Sequence, residues 1–190
     1  RRIHAAGAGA DVHHGLALVV LAGEHGLHLQ RVDLRGDVFL VQVTPISRDE
    51  VDTYQDIRAR LDALAGRING EYADMDWQPI RYLNRTYRRD QLAGIYRAAK
   101  VGLVTPLRDG MNLVAKEYVA CQVDGGGALV LSEFTGAAEE LHDAYLCNPH
   151  DIEGLKQTIL RAMTDDEAEK RRRMESLRQV VLDSDVHTWS

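Results

Sequence analysis

The sequence has little cysteine, no long apolar run and no excess of positive charge, and each absence closes off a class of protein. Cys121 and Cys147 are the only two cysteines in 190 residues. Each sits in an apolar context (YVACQ and AYLCN), which predicts two buried thiols in a reducing compartment rather than a disulfide. No apolar run approaches the roughly 18 residues that cross a bilayer, so no membrane is expected as a partner. The patch LALVVLA lies too far into the chain for a secretory signal and lacks a cleavage context. A cytoplasmic protein is the expectation. The formal net charge is -6, so a nucleic-acid footprint is not expected either. Arginines cluster at Arg85, Arg88 and Arg89 and again at 171–173, but acids surround both groups, and solvated helix faces account for them. At 45% hydrophobic and 27% charged residues, the composition is that of one substantial globular domain with a real core.

Residues 1–35 are short of cations too. No Arg or Lys falls between Arg2 and Arg31, while five of the eight histidines do (His4, His13, His14, His25, His28). Gly7 and Gly9 form a GxG, but no strand precedes it and the third glycine of a dinucleotide loop is missing. The histidines lack supporting Cys or carboxylates at ligand spacing, so no metal site is expected.

What is present is regular from residue 37 onward. DVFLVQV (37–43) reads as a buried strand. Over 49–70, Val51, Tyr54, Ile57, Leu61, Leu64 and Ile68 recur in steps of three and four, which predicts a helix. Strands are predicted at 80–83, 101–104, 128–131 and 144–147. Helices are predicted at 89–99, from Asn112, at 136–141 and at 151–163 behind Asp151 as N-cap, with a charged last helix at 165–182. Strand and helix alternate, which predicts an α/β fold: a Rossmann-like parallel sheet with helices on both faces. Ligands bind such sheets beyond the C-terminal strand ends. Residues 44–48, 84–87, 105–112 and 132–136 would form that rim.

The chain is organised around VGLVTPLRDGMNLVAKEYVACQ (101–122), a strand, a polar turn and a helix start in that order. The free N–H groups of a first helical turn make an anion site. Gly110 allows close backbone approach, and the N–H groups of about 112–114 can hold a diphosphate. Taken singly, Asp109 reads as a turn acid and Glu117 as a surface charge beside Lys116. Together, with seven residues between them, they match the two ends of a nucleotide-sugar: an ionised carboxylate is a pure acceptor and suits both ribose and sugar hydroxyls.

These residues carry a resemblance. TPLRDGMNLVAKEYVACQ (105–122) closely resembles the signature of trehalose-6-phosphate synthases, retaining glucosyltransferases of the two-domain GT-B type. The likeness extends through TPISR (44–48), YQDIR (54–58), AGRING (65–70), 77–84, YRAAKVGLVTP (96–106), LVLSEFTGAAEEL (129–141) and NPHD (148–151). It covers roughly residues 36–190, which implies the C-terminal half of a GT-B enzyme. A nucleotide-sugar-binding domain at 36–163 and a C-terminal helix at 164–190 are the expected division. The family transfers glucose from UDP-glucose to glucose 6-phosphate with retention, without a metal or other cofactor, by front-face attack assisted by the donor's own phosphate. The resemblance implies that Asp109 is the catalytic contact to donor glucose. It implies a donor site of Tyr87 (against uracil), Asp109, Gly110, Met111, Asn112, Leu113, Val114, Ala115 and Lys116, with Glu117 on the ribose. Arg48 would take the glucose 6-phosphate phosphate, since a guanidinium matches that dianion. Alternatives are a UDP-sugar-binding fragment without catalysis, and another retaining GT-B transferase; the TPLRDGMNLVAKE run speaks against the latter. Self-association into a homo-oligomer is left open, with Trp189 expected to be an exposed apolar group.

The departures are as informative. The family's acceptor site lies largely on an N-terminal domain that these residues do not match. Its diphosphate clamp, Asp-Arg-Leu-Asp-Tyr followed by Lys-Gly, should fall near residues 10–15, where this chain has no cation. Each charge-assisted hydrogen bond lost there is worth about 1.5–3 kcal/mol. Residues 1–35 are therefore expected not to be native family sequence, as a frameshifted or mispredicted start would explain. Translating the coding DNA in its other two frames should reveal the basic segment ahead of Gly36; its absence from both frames refutes the frameshift.

Overall fold

Buried and half-buried residues alternate along Val38–Val43, the two-faced pattern of a strand with different layers on each side. In a computed structural model of the protein, which describes residues 16–21, 36–44 and 52–184, this strand is β2 of a six-stranded sheet. The other strands are β1 (Leu16–Leu21), β3 (Ile80–Leu83), β4 (Val101–Val104), β5 (Ala128–Ser132) and β6 (Tyr145–Cys147), in the order β3-β2-β1-β4-β5-β6. The helices are α1 (Asp52–Tyr72), α2 (Arg89–Ala98), α3 (Leu113–Cys121), α4 (Ile152–Thr164) and α5 (Glu167–Asp183), with a 3-10 turn at Gly136–Glu139. Arg48, Val51, residues 1–15 and Trp189 lie outside the described residues.

The pairs β2–β3, β4–β5 and β5–β6 are parallel, with Leu40 opposite Ile80, Val101 opposite Ala128 and Val130 opposite Tyr145. β1 is antiparallel to both of its neighbours, Leu16 lying opposite Val43 and Ala17 opposite Leu103. Because β1 opposes β2 and β4 alike, those two point the same way. Five strands thus share one direction, and their C-terminal ends line a single edge. The expected α/β sheet is present; β1 is an addition, because the LALVVLA patch was assigned no strand. The facing edges of β2 and β4 need backbone partners, and an apolar run can supply them in either direction.

Two cores flank the sheet. On one face Phe39, Val41, Val43, Val104, Leu129 and Leu131 meet Tyr96 of α2, Ala115, Tyr118 and Val119 of α3, and Met174 and Leu177 of α5. On the other, Val101, Leu103, Ala128 and Val130 meet Ala162 and Met163 of α4. β4 and β5 are buried along their whole length, which is why they read as unbroken apolar runs. α1 is tied to β3 rather than to a core: the Asn69 amide donates to the Ile80 carbonyl (2.9 Å) and accepts from its N–H (3.0 Å). Its expected stripe is only half-buried at Ile57, Leu61 and Ile68, and Leu64 is exposed. Asp151 caps α4 as expected, accepting from the Gly154 N–H at 3.0 Å.

Arg88 pairs with Asp90 (2.7 Å) and Arg172 with Glu169 (2.8 Å) on solvated faces, but Arg173, only 19% exposed, pairs with Glu169 (2.7 Å) and lies over the Tyr145 ring. Arg178 reaches across to the Ala120 carbonyl (2.7 Å), closing the C-terminus of α3. Both cysteines are free. Cys147 is buried, and burial pushes its thiol up to about 11, with Glu133 adding to the shift. Cys121 is only half-buried, because its stretch of α3 is covered on one side. No described helix is long and apolar enough to cross a membrane.

α3 is seated on the sheet by one contact. Tyr118 is fully buried over Gly102 of β4, where an added Cβ would stand 2.8 Å from its ring. Gly102→Ala is expected to lower unfolding free energy by about 1–3 kcal/mol through overpacking. Gly70→Ala, in an open helical position, should instead raise it by about 0.5–1 kcal/mol. Urea unfolding of the two variants measures both signs.

Candidate functional site

The loop that leaves β4 runs along the edge shared by the five strand ends and is stitched to the loop that leaves β5. The Asp109 N–H donates to the Phe134 carbonyl (3.1 Å), the Gly136 N–H donates to the Asp109 carbonyl (3.2 Å), and the Ala137 N–H donates to the Met111 carbonyl (2.8 Å). Asp109 and Thr135 thereby form a short parallel bridge. The two loops approach so closely that a Cβ on Gly136 would collide with the Gly110 carbonyl. Glycine at 136 is a condition of the site's shape.

Asp109 organises the turn from its side chain as well. Its Oδ1 accepts from the Met111 N–H (3.2 Å), and its Oδ2 accepts from the Asn112 side-chain amide (2.9 Å). Asn112 sits at φ 71°, ψ 85°, a left-handed conformation that asparagine tolerates better than most residues. From there its Oδ1 caps α3, accepting from the Ala115 N–H at 3.0 Å. Asp109, Asn112 and the start of α3 are one hydrogen-bonded unit. Both Asp109 oxygens are thus engaged in shaping the turn.

The expected donor-site residues divide by environment. Gly110, Met111 and Leu113 are exposed at the rim, and Asn112 and Val114 are half-buried. Ala115 is buried, and its N–H is the one the Asn112 cap occupies. The Lys116 ammonium is held by Glu140, at 2.8 Å and 3.0 Å from the two carboxylate oxygens, with the side chains 18% and 34% exposed. Glu117 is exposed on α3, and its Oε2 accepts from the Tyr96 hydroxyl at 3.2 Å. Burial pushes the Tyr96 hydroxyl's pKa up, and the Glu117 charge adds to the shift. Tyr87 is half-buried against the main core, with the Arg85 guanidinium 4.6 Å over its ring. Leu107, Met111, Leu113 and Phe134 give the rim an exposed apolar lining, and Phe134 meets His150 of the loop after β6 edge-on at 5.7 Å. Among the described residues no three His, Cys, Asp or Glu gather as a metal site would need.

The family model described as Glycosyltransferase family 20 matches residues 9–190. The chain belongs to glycosyltransferase family 20. Among the relatives of this family 20 chain is a trehalose-6-phosphate synthase of Mycobacterium avium (strain 104), 55% identical over 156 residues, covering 82% of this chain and 32% of the relative. The corresponding Mycobacterium leprae protein is 55% identical over 156 residues, covering 82% and 31%. A solved trehalose-6-phosphate structure from E. coli, bound with UDP-2-fluoro glucose, superposes with a TM-score of 0.79 at 46% identity over 82% of this chain and 35% of its own. The α,α-trehalose-phosphate synthase (UDP-forming) of Burkholderia xenovorans, in complex with glucose-6-phosphate, has a TM-score of 0.76 at 46% identity over 78% and 33%. The chain spans about a third of the length of the curated relatives it matches. Its solved neighbours are GT-B proteins, as expected of the fold.

The family 20 chain contains three site components that sequence reasoning did not single out: Tyr96, Glu140 and Gly136. Tyr96 and Glu140 each acquire their partner only across a distance of more than 20 residues in the chain. Gly136 carried the one available signal, a glycine in the loop four residues beyond the end of β5. Asn112→Ala should lose about 2 kcal/mol of stability, since it removes a cap and places a Cβ-bearing residue without a compensating side chain at positive φ. Asn112→Gly, relieved of the second penalty, should lose less than about 1 kcal/mol. Chemical denaturation of both variants checks the order.

Proposed function

We propose that this chain is the donor-binding half of a retaining glucosyltransferase, which transfers glucose from UDP-glucose to glucose 6-phosphate and yields trehalose 6-phosphate and UDP. The observation that carries the reading is the hydrogen-bonded unit of Asp109, Asn112 and the start of α3, with Glu117 farther along the same helix. A helix start aimed beyond the strand ends offers N–H donors to a diphosphate, and the cap leaves those of Leu113 and Val114 for the ligand. Asp109 accepts from the glucose hydroxyls on one side, and Glu117 accepts from the ribose on the other. Tyr87, backed by Arg85, lies against the uracil. Arg48 takes the phosphate of the acceptor. The E. coli structure bound with UDP-2-fluoro glucose and the B. xenovorans complex with glucose-6-phosphate support these two substrates. The proposal includes no metal or other cofactor. The two free thiols fit a reducing, cytoplasmic setting.

Retention by front-face attack needs a donor held so that the acceptor attacks from the face the leaving group departs. Asp109 and the helix start fix the donor, and the acceptor must be presented from opposite the sheet edge. That presentation, and the family's basic diphosphate clamp, are what the described residues do not supply. The second reading, a UDP-sugar-binding fragment without catalysis, follows for the 190-residue polypeptide by itself and is favoured by the third of a relative's length that it spans.

Calorimetric titration with UDP should detect binding, and Glu117→Ala should weaken it roughly tenfold; an unchanged affinity removes Glu117 from the site. Incubation of the polypeptide with UDP-glucose and glucose 6-phosphate should release no UDP beyond the blank, and robust turnover would overturn the division into halves.

A further inference from the structure

Tyr96 is a buried residue whose polar end is aimed at the site. Its ring lies in the main core, 3% exposed, and meets Tyr118 edge-on with centroids 6.5 Å apart. Its backbone carbonyl accepts from the buried Gln122 side chain at 2.6 Å, which ties the end of α2 to the end of α3. Tyr118 repeats the tie, its hydroxyl donating to the Ala99 carbonyl at 3.1 Å. The Tyr96 ring is thus fixed by packing and by bonds on either side of it. Its hydroxyl donates to Oε2 of Glu117, an otherwise exposed carboxylate on three rotatable bonds.

A phenylalanine would fill the same space; the hydroxyl adds only the bond to Glu117. That bond matters because of what Glu117 must do. A free glutamate on a helix surface samples many rotamers, and binding a ribose through it costs that freedom. A donor from the rigid core holds one oxygen in place in advance, and the carboxylate still has acceptor positions for a pair of hydroxyls. We infer that Tyr96 is a positioning residue for nucleotide recognition: it holds the Glu117 carboxylate from within the core, so that the carboxylate meets the ribose cis-diol already oriented. This inference rests on the reading that Glu117 takes the ribose.

The test compares UDP with 2′,3′-dideoxy-UDP, which lacks the diol, by calorimetry on the full 190-residue chain. Unaltered protein should bind UDP more tightly than the dideoxy nucleotide. Tyr96→Phe should weaken UDP binding about 3–10-fold and change dideoxy-UDP affinity less than about twofold. In a Glu117→Ala background, where position 117 has no acceptor for the Tyr96 hydroxyl, the same change should have no further effect on UDP. Replacing Tyr96 by p-aminophenylalanine, which keeps a donor at that ring position, should restore UDP affinity. Equal losses for both nucleotides from Tyr96→Phe, the mark of a merely structural role, overturn the inference, as does an unchanged UDP affinity. Should Tyr96→Phe fail to fold, the p-aminophenylalanine protein still decides: UDP affinity within about twofold of the unaltered chain supports positioning, and a larger loss overturns it. Failure of the unaltered chain to distinguish the two nucleotides is a different result, because it removes the ribose role of Glu117 itself and with it the reading on which this inference rests.

Discussion

The seating of α3 on β4, through Tyr118 over Gly102, is the contact on which the site depends. A helix rests this low on a sheet only where the strand offers no side chain, so one missing Cβ sets the height of the whole helix. Its start, its Lys116 and its Glu117 are all placed by that depth. The bond from Tyr118 to the Ala99 carbonyl and the bond from Gln122 to the Tyr96 carbonyl then fix α3 against the end of α2. Arg178 closes the far end from α5. Three helices are locked together below the edge where the loops meet.

Above that base the loops interlock rather than pack. The strand ends bring residues 105–112 and 133–136 side by side, and backbone bonds join them. Such bonds must be satisfied in a partly dry setting. The close approach of Gly136 to Gly110 is what allows them to form. Asp109 is held by its backbone in this seam and uses its side chain to shape the turn, so its position does not rely on a flexible side chain alone.

Charge is distributed with the same economy. Lys116, the cation nearest the helix start in sequence, is held by Glu140, and Ser184 at the end of α5 also donates to Glu140, at 3.4 Å. A lysine committed to a carboxylate in a half-buried setting is a tie between α3 and its neighbours, and it contributes little free positive potential. Arg85 and Arg108, exposed on the loops at 84–87 and 105–112, stand at this edge beside the backbone N–H groups of the α3 start.

The sequence by itself determined the alternation of strands and helices, the run of the loop at 105–112 and the family, because each is written in local pattern: apolar runs where both faces are covered, steps of three and four where one is, and a motif whose residues are neighbours in the chain. Asp151 as a cap was legible for the same reason. Residues 16–21 were not, since an apolar patch does not declare which strands it will join or in which direction, and β1 lies between β2 and β4 only because two parallel edges face each other there. Tyr96 beneath Glu117, Glu140 against Lys116 and Gly136 against Gly110 were decided by tertiary structure alone. Each joins segments distant in the chain, and a side chain's partner across such a distance depends on how helices are stacked and loops seated, which no local spacing encodes.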